Sequence, residues 1–286
     1  MVVSLICAWF IFDNFLPIKS LKFDSISFFL SGLAFGGITL GAGNITNFGL
    51  SDPFSFIPLL VGLITIVMFT KRQLSMTAPL LDLRLFENRT FTLATISAML
   101  HNFVMSGSAI LIPTLVQTVY HSTATMAGLF MLIPSLVFAM VSPVAGKIYD
   151  KFGIRNLYIF SSIALFATHG SMVFATETTP VLLVMAIYAL RNAALAVLMM
   201  PVITWGMGAL PKEQYSQGTA VMNTLKNVAG AIGSAVVIGF MAMITQINAG
   251  NPHADMYGFN GAFAFTTVFT VFMIIIAFGF VKSGKK

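Results

Sequence analysis

Eight long apolar stretches constrain this chain more than any other feature of its sequence. A helix rises 1.5 Å per residue, so about 20 apolar residues cross a hydrocarbon core of about 30 Å. The stretches are continuous and lack the alternating segments of about 10 residues that are typical of membrane β-barrels. They lie near residues 25–45, 54–71, 91–118, 124–146, 157–175, 180–207, 217–246 and 259–281. The pattern predicts an all-α polytopic membrane protein in a lipid bilayer.

Charged residues are scarce, which excludes the ordinary soluble classes. Only 8% of the 286 residues are charged, whereas a soluble domain usually carries roughly 25%. The net charge of +6 comes from basic residues scattered singly between apolar stretches, not from the basic stripe of a nucleic-acid-binding protein. Cys7 is the single cysteine, so neither an internal disulfide nor a cysteine metal cluster is possible. We therefore expect no nucleic-acid partner, no metal and no cofactor.

The basic residues outside the stretches indicate the orientation of the chain. Thirteen of the 15 lysines and arginines fall in one set of alternate connecting segments, and the other set has none. Short cytoplasmic loops of membrane proteins carry such an excess of Lys and Arg. The sequence therefore predicts a multi-pass protein of the cell membrane whose basic segments and C-terminus are cytoplasmic.

A shorter apolar stretch, residues 1–12, begins the chain. It would extend about 18 Å as a helix, too short to cross a membrane, and it lacks the basic start and cleavage site of a signal peptide. We expect it to be the second half of a helix whose first half is missing, and the chain to be a fragment of a longer protein. The sequence therefore divides into four predicted parts: a truncated helix with a cytoplasmic linker (1–24), a two-helix transmembrane insert (25–71), a cytoplasmic interfacial linker (72–90) and a six-helix unit (91–286).

Two of the stretches carry small residues at a spacing that lets helix backbones approach closely. We expect these residues to pack against neighbouring helices and not to bind a ligand. They are the pairs Gly32/Gly36 and Gly37/Gly41 in the first stretch, and Ala229, Gly230, Gly233 and Ser234 in the seventh.

The segment 146–156 reads GKIYDKFGIRN and combines glycines with charges. Its glycines permit a tight turn, and its carboxylate can pair with a nearby cation or a neighbouring helix N-terminus. Its residues fit the pattern G-x-x-x-D-[RK]-x-G-x-R between the second and third helices of the six-helix unit. The residues of the pattern are Gly146, Asp150, Lys151, Gly153 and Arg155.

This segment resembles the conformational-gating loop of the major facilitator superfamily, and two further segments resemble its fourteen-span drug:proton antiporters of the EmrB/QacA type. They are PLLDLRLFENRTF (79–91) and NTLKNVAGAIGSA (223–235). The resemblance implies a major facilitator C-terminal six-helix bundle, preceded by a two-helix insert and a truncated helix. It also implies export of small amphipathic drug-like compounds, by alternating access, in exchange for protons.

The resemblance also implies that an N-terminal transporter half is missing from this chain. None of the eight stretches contains Asp or Glu, so we expect the proton-carrying carboxylate to lie in that missing half. Within the stretches, His101 and His169 are the side chains that could exchange a proton near neutral pH. Histidines in helix bundles are, however, often hydrogen-bonded for structural reasons alone.

Two cations lie inside the apolar stretches. A cation at mid-membrane costs about 2.5–3.5 kcal/mol on insertion scales and normally faces a partner or a wet cavity. Arg191 is central in its stretch, where it either lines a cavity or forms a structural salt link or carbonyl clamp. Lys226 can extend its ammonium group towards the cytoplasmic surface. By resemblance, the predicted substrate cavity is lined by His101, Asn102, Met105, Arg191, Asn192, Met199, Asn223 and Asn227.

Two other classes of function are weighed against transport. An intramembrane enzyme is disfavoured because H-E-x-x-H is absent. Ser106, Gly107 and Ser108 also lack the strand–turn–helix setting of a nucleophile elbow. We therefore predict no catalytic residues. A truncated, non-transporting membrane scaffold or an inactive remnant stays open as the alternative.

Overall fold

The computed structural model describes residues 24–49 and 51–281. The predicted short helix at 1–12 lies outside these residues. The described residues form helices and contain no β-strand, so the all-α prediction is confirmed. The α-helices are α1 (Ser25–Phe48), α2 (Pro53–Ser75), α3 (Arg89–Ala109), α4 (Leu111–Thr118), α5 (Ala124–Val173), α6 (Val181–Met207), α7 (Tyr215–Ile247) and α8 (Ala254–Gly279). Two short 3₁₀ helices, Leu83–Glu87 and Lys212–Gln214, lie between them.

Seven helical segments of the described chain are long and apolar enough to cross a membrane, α3 and α4 together forming one of them. One segment, α5, has 50 residues and would extend about 75 Å if it were straight. It is interrupted at Gly153, where φ is 72° and ψ is 167°. The predicted connecting loop between 146 and 157 was therefore wrong in extent, because the backbone is helical on both sides of this single glycine.

Apolar packing shows that α5 folds back on itself at Gly153. Ala127 near its start and Met172 near its end belong to one apolar cluster. Tyr149 and Ile154, beside the break, pack in a second cluster. Two ends of a straight 50-residue helix would be too far apart to share one cluster of this size. Helix α5 thus contains two of the predicted membrane crossings, which form a hairpin.

The insert, α1 and α2, is held together by backbone contact at glycines. A Cβ atom added to Gly37 would lie 2.7 Å from the Pro58 carbonyl oxygen, and one added to Gly41 would lie 2.6 Å from the Leu59 backbone nitrogen. The expected packing is therefore found at this pair. At Gly32 and Gly36 no atom of the described chain lies within 4 Å of such a Cβ. The Gly32/Gly36 pair thus faces away from α2, and the packing expected for this pair is not observed.

Polar contacts tie the insert to the linker that follows it. Arg72 donates from Nη2 to Asp24 Oδ1 at 2.9 Å and from Nε to Asp24 Oδ2 at 3.1 Å. Gln73 donates to Ser27 Oγ at 2.7 Å and accepts from the Leu81 backbone nitrogen at 3.0 Å. The linker in turn reaches the six-helix unit, where Asn88 Nδ2 donates to the Ala209 carbonyl oxygen at 2.8 Å. The linker is therefore anchored at both of its ends.

The ion pair between Asp24 and Arg72 predicts a pH dependence of stability. The Arg72 guanidinium and the Ser27 hydroxyl hold the pKa of the Asp24 carboxyl well below its ordinary value of 3.8. A depressed pKa stabilises the folded state above the ordinary pKa, and this contribution is lost as the pH falls below it. We expect Asp24→Asn to lower the melting temperature at pH 7, and this deficit should begin to shrink near the ordinary pKa of 3.8 and shrink further as the pH falls towards the depressed pKa.

Thermal unfolding in nanodiscs measures this deficit at each pH. Arg72→Gln removes the same pair from the other side, so its deficit should shrink over the same range, and the double variant should show non-additivity. A deficit that stays constant down to pH 3 would show that Asp24 acts through packing and not through its charge.

Candidate functional site

Arg191 occupies the centre of the six-helix unit and is only 2% exposed. Its Nη2 atom donates to the carbonyl oxygens of Val104 at 3.1 Å and Met105 at 3.2 Å, and also to the Ser108 hydroxyl. Its Nη1 atom donates to Asn192 Oδ1 at 2.9 Å. These contacts form the carbonyl clamp that the sequence left open as one alternative. Within the described part of the chain, no carboxylate forms an ion pair with Arg191.

Tyr188 completes the surroundings of the Arg191 guanidinium. The guanidinium carbon lies 4.6 Å from the centroid of the Tyr188 ring, a favourable position for a cation over an aromatic face. The Tyr188 hydroxyl donates to the Ser108 carbonyl oxygen at 3.0 Å. The guanidinium thus lies over one aromatic ring and donates to several acceptors. A planar group with five N–H donors can make all of these contacts, whereas a lysine ammonium group cannot. The arrangement joins α6 firmly to α3.

The partners of Arg191 differ in how far the sequence could indicate them. Tyr188 precedes Arg191 by three residues, so the two share one face of α6, and this spacing is a signal that could have been used. Ser108 belongs to α3 and lies about 80 residues earlier in the chain. No local pattern links Ser108 to Arg191, because their contact depends on how the two helices dock.

The two histidines of the apolar stretches are both buried, His101 being 3% exposed and His169 0%. His169 Nδ1 lies 2.9 Å from the Leu165 carbonyl oxygen in the preceding turn, and its ring packs near Phe263. Neither ring nitrogen of His101 has a hydrogen-bond partner among the residues that the structure covers. The sequence left both a structural and a proton-carrying role open for these histidines, and this choice stays untested.

The remaining predicted cavity residues are spread over three helices. Asn102 on α3 donates to the Lys226 carbonyl oxygen of α7 at 2.7 Å, so it also serves helix packing. Asn223 and Asn227 are exposed on α7. The half-buried residues of the set are Met105, Asn192 and Met199. Two cavities, of about 260 Å³ and 760 Å³, lie at opposite ends of the six-helix unit, and no predicted substrate residue lines either one.

The predicted gating segment surrounds the break in α5. Gly146, Asp150 and Lys151 are exposed, whereas Arg155 is half-buried. No ion pair within residues 24–49 and 51–281 includes Asp150, so the pairing that the sequence allows with Lys151 or Arg155 is not observed. The exposed Asp150 carboxylate is therefore available to another surface. Gly153 makes the turn, since its φ of +72° is rarely accessible to other residues.

Gly153→Ala is expected to destabilise the α5 hairpin by about 1–3 kcal/mol, the usual cost of a strained backbone conformation. Thermal unfolding of the reconstituted protein measures the loss. Gly146→Ala is the matched control, because Gly146 is helical and, among the described residues, no atom outside the adjoining helix backbone lies within 4 Å of an added Cβ. It should leave stability unchanged or raise it slightly. Equal effects of the two substitutions would contradict the assignment of the turn to Gly153.

The fold and this site define a polytopic helical membrane protein. In its six-helix unit a buried arginine joins two helices, and a glycine makes the turn between the second and third crossings. Its sequence matches the family model of the Major Facilitator Superfamily over residues 69–234. The chain belongs to this family, and the expectation drawn from its motifs is confirmed.

Several transporters are similar to the chain. It is 31% identical to the uncharacterized MFS-type transporter YcnB of Bacillus subtilis over 99% of this chain and 61% of that protein. It is 33% identical to the lincomycin resistance protein LmrB of the same organism, over 92% of this chain and 57% of LmrB. It is 26% identical to the multidrug export protein EmrB of Escherichia coli over 68% of this chain and 40% of EmrB. The chain thus spans about three fifths of the length of the first two relatives.

Proposed function

We propose that this chain is the C-terminal portion of a proton-coupled multidrug exporter of the cell membrane. The main support for the proposal is the similarity to LmrB, a lincomycin resistance protein, because it extends over 92% of the chain. The similarity to LmrB therefore extends beyond residues 69–234, where the general family model matches, and includes the insert. EmrB, whose name describes multidrug export, supports drug-like substrates, and we propose that they are small amphipathic compounds.

Alternating access requires parts of the protein that move as bodies. The Arg191 clamp ties α6 to α3. The Asn102–Lys226 hydrogen bond and the close approach of Gly233 to Phe103 tie α3 to α7. In the proposed cycle these three helices move together against an N-terminal half and expose a midplane cavity to each side in turn.

The proposed division of labour follows from the chemistry of the apolar stretches. They contain no Asp or Glu, and proton exchange near neutral pH needs a perturbed carboxylate or a histidine. We place the coupling carboxylate in the N-terminal half. The present chain contributes cavity residues, among which Asn223 and Asn227 are exposed on α7, and the flexible thioethers of Met105 and Met199, which can repack around varied apolar ligands. Asp150, exposed on α5, would contact the other half at the cytoplasmic side.

Dye efflux from proteoliposomes under an imposed pH gradient tests the proposal. The chain is reconstituted alone and together with the N-terminal half that the proposal requires. We expect efflux of an amphipathic cationic dye only from the pair, and only with the gradient. Efflux by the chain alone would contradict the division of labour. No efflux by a correctly folded pair would contradict transport and favour the non-transporting scaffold.

A matched pair of substitutions sharpens this test. Asp150→Asn should lower the rate of efflux by the pair, because it removes the carboxylate available to the other half. Glu87→Gln removes an equally exposed carboxylate of the linker and should leave the rate unchanged. Equal effects would show that the gating segment acts only through net charge.

A further inference from the structure

A cleft of about 760 Å³ opens where α3 begins and where α6 and α8 end. Its wall combines Phe86, Arg89, Thr90, Leu93, Trp205 and Phe280. On the predicted orientation these three helix ends lie at the cytoplasmic surface of the membrane. Small-molecule sites in proteins commonly have volumes of about 300–1,000 Å³, so the cleft is large enough for a phospholipid headgroup and the first part of its acyl chains.

Arg89 is the charged group of this cleft, and its charge is not compensated within the described chain. The side chain is exposed, and no ion pair among residues 24–49 and 51–281 includes it. Glu87 lies two positions earlier without pairing to it, and the residues that line the cleft include neither Asp nor Glu. A guanidinium group binds phosphate oxygens in bidentate fashion. The cleft therefore offers a site for a phosphate group.

The first backbone amides of α3 do not share this role, because the chain satisfies them itself. Asn88 Oδ1 accepts from the backbone nitrogens of Thr90 at 3.0 Å and Phe91 at 3.1 Å. The backbone nitrogen of Thr92 donates to the Asn88 carbonyl oxygen at 3.0 Å. The guanidinium of Arg89 is thus the charged donor that the cleft presents.

The apolar wall distinguishes a lipid from a small soluble anion. Trp205 lies near the end of α6, and tryptophan is enriched at membrane–water interfaces. Phe280 follows the last residue of α8 and is 57% exposed. A free phosphate would gain nothing from these rings, whereas a phospholipid places its phosphate and its acyl chains on the polar and apolar parts of the same cleft.

We propose that this cleft binds an anionic phospholipid of the cytoplasmic leaflet, with the phosphate on Arg89 and the acyl chains along Leu93 and Phe280. Phosphatidylglycerol is expected to bind better than phosphatidylcholine, because its headgroup carries a net negative charge that the unpaired Arg89 attracts, whereas phosphatidylcholine is neutral overall. The inference goes beyond the proposed transport function, since lipid binding and efflux are measured separately. It concerns a surface of the chain itself and needs no N-terminal half.

Native mass spectrometry of the full chain, released from detergent micelles, tests the site. Phosphatidylglycerol and phosphatidylcholine with identical acyl chains are titrated separately. We expect at least fivefold more phosphatidylglycerol than phosphatidylcholine to be retained at equal concentration. Equal retention of the two lipids would overturn the proposal. Displacement of the lipid by millimolar glycerol phosphate would also overturn it, because the site would then belong to a soluble phosphate.

Two substitutions localise the binding. Arg89→Gln should reduce phosphatidylglycerol retention about fivefold or more, whereas Lys212→Gln, which removes another exposed cation at the same end of the unit, should leave it unchanged. Arg89→Lys keeps the charge without the bidentate geometry and should give an intermediate reduction, which covers the case that the glutamine variant does not fold. Equal retention by the Arg89 and Lys212 variants would show that the lipid binds elsewhere.

Discussion

Replacing Arg191 by lysine is expected to lower the free energy of unfolding of the six-helix unit by about 3 kcal/mol. The guanidinium donates to two α3 carbonyl oxygens and a hydroxyl through one nitrogen, and to Asn192 through another. A single ammonium group cannot reach both sets of acceptors, and a hydrogen bond to a charged group contributes about 1.5–3 kcal/mol. The Val104 and Met105 carbonyl oxygens keep the hydrogen bonds of their own helix, so the cost falls on the buried cation, which loses part of its set of acceptors.

Thermal unfolding in nanodiscs measures this loss. Arg89→Lys is the matched control, since Arg89 is exposed and the same change there should alter stability by less than about 0.5 kcal/mol. Ser108→Ala removes one acceptor of the clamp and should give a smaller loss than Arg191→Lys. An Arg191→Lys variant as stable as the parent chain would show that the clamp does not stabilise the fold, and cavity lining would then be the better reading of Arg191.

Gly233→Ala is expected to separate α3 from α7 and to destabilise the chain by about 3 kcal/mol, the upper range for overpacking. An added Cβ would lie 2.6 Å from the Phe103 carbonyl oxygen and 2.9 Å from its Cα atom. Both are backbone atoms, so no side-chain rotation relieves the overlap. Because the same contact belongs to the proposed moving body, dye efflux by the reconstituted pair should also fall.

Two neighbouring glycines of α1 supply the controls for this prediction. Gly37→Ala should be harmful for the same reason, because its Cβ would meet the backbone of α2. Gly36→Ala changes the adjacent residue of the same helix, where no atom of another described segment lies within 4 Å of an added Cβ. It should be neutral or stabilise the helix by up to about 1 kcal/mol. If all three variants unfold alike, helix propensity and not close packing governs these positions.

The features that the sequence predicted correctly are those that depend on local composition. The positions of the apolar stretches follow from length and hydropathy, because an uncharged run of about 20 residues has few other stable surroundings than a bilayer. The turn in the 146–156 segment was predicted from the glycines alone. Its extent was not, since Lys147, Asp150 and Lys151 suggested a loop, whereas exposed charged residues are equally stable on helix ends that leave the membrane.

The candidate site depended much more on the way the helices dock. The sequence placed Arg191 at mid-membrane and left its partner open between a cavity, a salt link and a carbonyl clamp. Only the position of α3 beside α6 shows that the partners are carbonyl groups, because Val104 and Met105 lie more than 80 residues earlier in the chain. Likewise, Gly36 and Gly37 are equivalent as sequence, and only the docking of α2 distinguishes them.

Sequence alone was thus sufficient for the crossings, the superfamily and the residues out of place in a membrane, because each reflects the preference of a short segment for lipid or water. Which carbonyl groups receive the Arg191 protons, which glycines touch a neighbour and where the cleft beside Arg89 opens were decided by the folded bundle. Contacts between distant helices depend on the shapes of both partners, and no single stretch of the chain contains that information.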